Sequence, residues 1–178
     1  HYVKTQKKLK RAQQALSRKQ KGSKNRTKER IKVAKIHEHI SNQRSHYLHT
    51  LTTKIIRENQ AIGIERLSVS NMVKNRHLAK HISDAGWGMF RQQLEYKTIA
   101  SRHCTLVEAS PYFPSTQVCS CCGHRPEQKL KLVIRSWICE HCGAVHQRDH
   151  NAATNLENLA IMVYNREKLL GDTEGKII

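Results

Sequence analysis

Apolar residues in the first third of the chain recur at helical spacing. Tyr2, Leu9 and Leu16 follow one another every seven residues among basic residues, which predicts a helix with a narrow apolar seam. Residues 18–29 contain no apolar side chain and predict a basic turn or loop. A second, longer helix is predicted over about 26–58 by Ile36, Ile40, Tyr47, Leu48, Leu51 and Ile55. Residues 1–60 are therefore expected to form two antiparallel helices with a basic tip, called the basic hairpin below.

The next segment, 61–116, predicts a strand, a helix and a second strand. Short apolar runs at 61–65 and 103–109 are typical of buried strands. Between them, apolar spacing predicts a helix over about 84–100, with Ser83 or Asp84 as its N-cap.

A cysteine-rich module is expected at 117–147, followed by a last helix over 148–165 and a tail at 166–178. The last helix is predicted by Ala152, Ala153, Leu156 and Leu159, with Asp149 as its N-cap. The order of elements is that of an α/β fold with an inserted module.

Charge is large and unevenly spread. The 178 residues carry 32 Lys and Arg against 14 Asp and Glu, a net charge of +18. Most of the excess lies in the first 60 residues, which favours a polyanionic partner such as RNA or DNA. An anionic membrane surface, or a solvated arm without a ligand, is the alternative. We assign the nucleic-acid contact to Lys19, Lys21, Lys24, Arg26 and Lys28.

The chain shows no apolar run long enough to span a bilayer and no signal peptide. It begins at His1 without a methionine, so a fragment or processed piece is expected. The cysteine pattern favours a reducing compartment such as the cytoplasm.

Four cysteines have the spacing C-x2-C-x16-C-x2-C: Cys119, Cys122, Cys139 and Cys142. Two such pairs offer four thiolates in tetrahedral reach, which suits structural Zn²⁺. The spacer is long enough for a two-stranded ribbon joining the two pairs. Two disulfides or unrelated buried cysteines are the alternative. Cys104 and Cys121 are left over, as a strand thiol and a spacer thiol, and one nearby histidine could replace a cysteine.

Two carboxylates occupy unusual positions. Glu65 ends an apolar strand, and Asp149 lies at a predicted helix start directly after the cysteine module. Each has an ordinary interpretation, as a strand end and an N-cap. Mg²⁺ is usually held by one or two carboxylates plus a substrate phosphate, so the pair could instead serve phosphodiester hydrolysis. A two-metal site normally needs more carboxylates than these two.

Several runs resemble the TnpB family, the OrfB-type transposon-associated proteins with a C-terminal zinc ribbon. They are SDAGWGMFRQQLEYK at 83–97, FPSTQ at 113–117, the first cysteine pair and RDHNAATN at 148–155. LSRK at 16–19 and KGSKNR at 21–26 match as well. The resemblance covers the chain up to about Leu159.

This resemblance implies an RNase H-like RuvC domain in an RNA-guided DNA endonuclease that uses a guide RNA and Mg²⁺. Glu65 and Asp149 match the second and third catalytic acids, and the four cysteines match the zinc ligands. Arg148 would neighbour the scissile phosphate. Arg66 stands where the family usually has Asp.

The resemblance also implies that something is missing. The first catalytic aspartate belongs to a strand expected before residue 1, and the strand holding Glu65 would have an open edge there. The expected fold is therefore a partial RuvC domain lacking its first strands, with an inserted zinc ribbon. The chain alone is predicted not to be a competent nuclease, and to need the N-terminal portion or a second chain.

Two other functions remain open. One is a nuclease-inactive, TnpB-like nucleic-acid-binding protein that acts as a repressor or accessory subunit. The other is a ribosomal or transcription-type zinc-ribbon protein that uses its basic arm on RNA.

Overall fold

The computed structural model describes residues 2–131 and 133–174, which form a mixed helix and strand fold. In chain order the elements are α1 (Tyr2–Ser17), α2 (Lys24–Glu58), β1 (Ala61–Glu65), α3 (Val69–Met72), α4 (Ala79–Ala85), α5 (Trp87–Ser101), β2 (Thr105–Ala109), β3 (Ser136–Ile138), β4 (Val145–Gln147) and α6 (Arg148–Glu174). In this part of the chain no helix is both long and apolar enough to cross a bilayer.

The predicted basic hairpin is present as α1 and α2. Leu9 and Ala12 of α1 pack against Ile36 and Ile40 of α2, so the apolar seam is the interface between the helices. The tip is shorter than predicted because α2 begins at Lys24. The N-cap residue is Ser23, whose hydroxyl accepts a hydrogen bond from Arg26 N.

Both apolar runs predicted as strands are strands in the structure, and β1 and β2 form a parallel pair in the register Ala61↔Thr105 to Glu65↔Ala109. One face of the pair packs against α2 and α5 around Ile56, Leu94 and Cys104. Ile62 and Ile64 point to this face.

Gly63 lies on the opposite face, where α6 crosses β1 so closely that a side chain at this position would overlap the backbone of Leu156. Because successive strand residues alternate between faces, Glu65 shares the α6 side with Gly63.

The single helix predicted over 84–100 is wrong. Gly86 adopts a left-handed conformation (φ 68°) and separates α4 from α5. Asp84 therefore lies in the last turn of α4 and is not an N-cap. Its carboxylate accepts a hydrogen bond from Arg44 Nη2 at 2.8 Å, which ties α4 to α2.

The last helix differs from its prediction at both ends. It runs to Glu174, beyond the predicted end at 165, and Thr105 Oγ1 donates to Glu167 Oε2 at 2.9 Å, which ties its second half to β2. At its start Asp149 lies in the first turn, and the side chain of Gln147 accepts from His150 N at 2.7 Å. Gln147 therefore does the capping predicted for Asp149.

The cysteine module contains the antiparallel pair β3–β4, in the register Ser136↔Gln147 to Ile138↔Val145. The predicted ribbon within the spacer is wrong in part, because only β3 lies in the spacer and β4 follows the second cysteine pair. The second pair therefore forms the turn of the ribbon. β4 continues directly into α6.

Candidate metal centre and acid groove

Each cysteine pair folds into a tight turn, called a knuckle below. Gly123 N donates to Cys119 O at 2.9 Å, and Gly143 N donates to Cys139 O at 2.8 Å. Both glycines have positive φ (74° and 73°), which few other residues adopt without strain. The backbone thus turns around the sulfur positions in both knuckles.

The four predicted zinc ligands meet in one cluster. Their Sγ atoms all lie within 4.8 Å of one another, with 3.6 Å between Cys119 and Cys142 and 3.7 Å between Cys122 and Cys139. Four sulfurs around tetrahedral Zn²⁺ would lie about 3.8 Å apart, given Zn–S bonds of about 2.3 Å. All four cysteines are free thiols, so the alternative of two disulfides is not what the structure has. The donor set therefore fits zinc.

The thiols of the cluster influence one another's ionisation. Burial opposes ionisation of Cys119, but amides of Cys122 and Cys121 donate to its sulfur and the pKa of this thiol falls to about 7. At Cys122 the amide of His124 favours the thiolate, yet burial and the neighbouring sulfurs outweigh it and the pKa rises to about 12. Four thiolates in this space need a cation to balance their charge.

Two further side chains adjoin the cluster. His146 is buried against Trp137, with ring centroids 4.7 Å apart, and its Nε2 lies 3.0 Å from Cys119 Sγ. Cys121 is exposed and belongs to the first knuckle, not to the spacer; with Cys119 and His146 it forms a second group of possible ligands. Cys104 is remote from both groups, in the core beside β2, where burial raises the pKa of its thiol.

The two predicted acids line one open groove of about 530 Å³. Glu65 comes from the end of β1 and Asp149 from the first turn of α6, and Arg135 and Arg148 line the same groove. Among the described residues, neither acid belongs to a group of three or more possible metal ligands.

Each acid has a polar neighbour supplied by the cysteine module or the loop before it. Ser115 Oγ donates to Glu65 Oε1 at 3.1 Å. Arg135 Nη1 lies 3.9 Å from Asp149 Oδ2, and both side chains are 70% exposed, so this ion pair is screened by water. Sequence reasoning missed Ser115 and Arg135, because only the fold brings them to the acids.

Asn151 and Asn155 were also missed as individual residues, although they lie in a run that carries the family resemblance. Both are buried on α6, and their side-chain amides hydrogen-bond the backbone of 115–120, next to the first knuckle. Two asparagines four residues apart on one helix, the first of them two residues after Asp149, are the signal that could have indicated a shared contact.

The basic residues assigned to nucleic acid lie at the tip of the hairpin, apart from Arg148. Lys19, Lys21, Lys24 and Lys28 are exposed. Arg26 has a structural contact as well, since its Nη1 donates to Leu16 O and Lys19 O, both at 3.1 Å, and so caps the end of α1. Beside the tip, an open groove of about 640 Å³ between the helices is lined by Lys8, Lys28, Lys32 and Lys35.

Comparison with known proteins matches most of the chain in two parts. Residues 1–76 match the family model OrfB_IS605, described as “Probable transposase”, and residues 87–156 match “Cas12f1-like, TNB domain”. A Streptomyces pristinaespiralis protein named “Putative RNA-guided DNA endonuclease” is 49% identical over 83% of the chain. Relatives with the same name in Mycobacterium tuberculosis and in Escherichia coli K12 (InsQ) are 32% and 35% identical over 83% and 87% of the chain.

The structure thus defines a class of protein: a mixed helix and strand chain that combines a basic hairpin with a four-cysteine ribbon. By the two family matches and these relatives, the chain belongs to the TnpB family of OrfB-type transposon-associated proteins. It spans 36%, 33% and 42% of the length of the three relatives.

Proposed function

We propose that the chain is the C-terminal nuclease portion of an RNA-guided DNA endonuclease that hydrolyses phosphodiester bonds with Mg²⁺. The observation that carries the proposal is the convergence of Glu65 and Asp149, far apart in sequence, in one groove flanked by Arg135 and Arg148. The names of the relatives, RNA-guided DNA endonucleases, support the same activity.

The groove has the chemistry that such a reaction needs. Glu65 and Asp149 would hold Mg²⁺, which supplies activation of a water molecule and stabilisation of the leaving oxygen. Arg135 and Arg148, which line the same groove, would bind the phosphate. The four cysteines would hold Zn²⁺ in a structural role, since a four-thiolate site leaves no open position for substrate.

The parallel pair β1–β2, with α6 across one face, is consistent with part of an RNase H-like RuvC domain. In the described residues β1 pairs with β2 alone, so its other edge is open to a further strand. A strand carrying the first acid would pair along this edge and complete the metal site. We infer that the 178-residue chain needs that portion, covalently attached or as a second chain, before it cuts DNA.

The basic hairpin would contact guide RNA or target DNA through phosphates. Lysines lie at its tip and line the groove between α1 and α2, where Lys32 also lies 3.7 Å from Glu29. Phosphate contacts of this kind depend steeply on salt.

The test compares DNA cleavage by the 178-residue chain and by the chain joined to the N-terminal portion of a relative, with guide RNA and Mg²⁺. We expect cleavage only from the joined protein, reduced about 10²-fold or more by Glu65→Gln or by Asp149→Asn. Glu157→Gln, an exposed neutralisation on the same helix, is the matched control and should leave the rate unchanged.

Two results would contradict the proposal. Cleavage by the 178-residue chain alone, abolished by Asp149→Ala, would show that no further portion is needed. Guided cleavage by the joined protein that survives Asp149→Asn would remove the acid groove as the active site.

A nuclease-inactive nucleic-acid-binding protein is the second candidate. The observation that favours it is that the lysine-lined groove on the hairpin and the acid groove share no lining residue, so binding does not require the acids. If guided binding is tight and salt-dependent but the joined protein never cuts, this second function is correct.

A further inference from the structure

We propose that zinc in the four-cysteine cluster sets the position of the Glu65 carboxylate, and that Asn151 and Asn155 are the positioning residues that couple the two sites. The proposal rests on the function proposed above for the acid groove. It assigns a role to a buried polar contact between α6 and the first knuckle.

The contact is a clamp on residues 115–118. Asn155 Nδ2 donates to Ser115 O and to Val118 O, both at 2.8 Å. Asn151 Nδ2 donates to Val118 O at 2.7 Å and lies 3.4 Å from Ser115 O. The asparagines are 2% and 7% exposed, so two buried amides hold the same two carbonyl groups. A buried side-chain amide that loses its hydrogen-bond partner costs free energy, so these hydrogen bonds favour one position of the loop on α6 over others.

The clamp continues into the metal cluster. Asn151 Oδ1 accepts a hydrogen bond from Ser120 N at 2.9 Å, and Ser120 directly follows the zinc ligand Cys119. The apolar core around the cluster is small, with Cys119, Trp137 and Cys139 as its buried members. The shape of the first knuckle therefore depends on the metal, and so does the geometry that 115–120 presents to α6.

The other end of the clamp reaches the acids. The Ser115 hydroxyl donates to Glu65 Oε1 at 3.1 Å, while the Ser115 carbonyl is the group held by both asparagines. Asp149 lies two residues before Asn151, in the same first turns of α6. A loop released from α6 would therefore leave Glu65 without its serine donor and change the spacing of the two acids.

The test uses the zinc-loaded and the zinc-stripped 178-residue chain with two measurements. Amide hydrogen exchange across 115–120 reports whether the loop is clamped. Water-proton relaxation with Mn²⁺ reports divalent-ion affinity at the acid groove, and Mn²⁺ prefers oxygen ligands, so it does not refill the cysteines.

The variants separate the parts of the clamp. Asn155→Asp removes both donated hydrogen bonds at nearly constant size, and Asn158→Asp makes the same change at an exposed position of α6 as the matched control. Ser115→Ala removes the hydroxyl and keeps the carbonyl that the asparagines hold. Circular dichroism confirms that each variant is folded.

We expect zinc removal to speed exchange across 115–120 and to weaken Mn²⁺ binding at least about fivefold. Asn155→Asp should produce both changes with zinc still bound, whereas Asn158→Asp should produce neither. Ser115→Ala should weaken Mn²⁺ binding while exchange stays slow, which a purely structural role for the loop does not predict.

The coupling would be overturned if Mn²⁺ affinity were the same with and without zinc. It would also be overturned if Asn155→Asp gave the same exchange rates and Mn²⁺ affinity as Asn158→Asp. A different result concerns the proposed function. If Glu65→Gln and Asp149→Asn leave Mn²⁺ binding unchanged, the acid groove is not the divalent-ion site, and the clamp is then judged by the zinc dependence of exchange alone.

Discussion

Replacing Gly63 by alanine should destabilise the fold at the point where the two acid-bearing elements cross. A Cβ atom at this position would overlap Leu156 O and lie 2.7 Å from its carbonyl carbon. Because both atoms belong to the backbone of α6, no side-chain rotation relieves the overlap. Ordinary carbon contact needs about 3.5 Å, so α6 would have to move by about 0.8 Å or more.

The expected cost follows from this overlap. Overpacking of a well-packed interior costs about 1–3 kcal/mol. In a chain of this length each kcal/mol lowers Tm by about 2–4 °C, so Gly63→Ala should lower Tm by about 2–12 °C. The measurement is thermal unfolding followed by circular dichroism in a zinc-containing buffer. In the joined, guided protein the same shift of α6 against β1 should reduce cleavage, since misplacement of about 1 Å can cost about 10²-fold in rate.

Gly88 provides the matched control. It lies in α5, and an added Cβ would meet nothing within 4 Å. Alanine is the better helix former, so Gly88→Ala should leave Tm unchanged or raise it slightly. Equal Tm values for Gly63→Ala and Gly88→Ala would refute the close approach of α6 to β1 as a determinant of stability.

Two further predictions concern the metal cluster and the hairpin. Cys139→Ser should weaken Co²⁺ binding in the zinc site and reduce the thiolate charge-transfer absorption, because one of the four sulfurs is lost. Cys121→Ser should leave both unchanged, because Cys121 is outside the four-sulfur set. Equal loss in both variants would assign Cys121 as a ligand. Changing the groove lysines Lys28, Lys32 and Lys35 to glutamine should reduce the slope of log K against log salt for DNA binding by about 2–3. The exposed control Lys54→Gln should change the slope by about 1 at most. An unchanged slope in the triple variant would exclude the groove as a phosphate-binding surface.

Local patterns in the sequence were sufficient for the main elements. The heptad spacing of Leu9 and its neighbours predicted the basic hairpin, and paired C-x2-C spacing predicted the four-sulfur cluster, because both depend on short-range geometry. The break at Gly86 was not predictable from apolar spacing, which continues across it. A left-handed glycine decided the boundary there, and apolar periodicity carries no information on φ.

The candidate site divides in the same way. Glu65 and Asp149 are visible singly as an acid after an apolar strand and an acid at a helix start, but each then has an ordinary interpretation, and only Mg²⁺ chemistry and the family resemblance join them as a pair. Their meeting depends on the packing of α6 across β1, and the contacts of Ser115 and Arg135 depend on how the ribbon folds back. Long-range side-chain contacts of this kind have no local sequence signal.

The ribbon is attached to the rest of the chain in a way that favours a fixed orientation. In the part of the chain that the structure describes, its small apolar core around Trp137 shares no residue with the core around Leu94. The attachment includes directional hydrogen bonds from Asn151 and Asn155, the exposed ion pair between Arg135 and Asp149, and the direct continuation of β4 into α6. An apolar interface tolerates sliding, whereas a buried amide that loses its partner costs about 1–3 kcal/mol. The ribbon therefore either keeps one position on α6 or separates from it. The position of the first turn of α6, where Asp149 lies, depends on which of the two occurs.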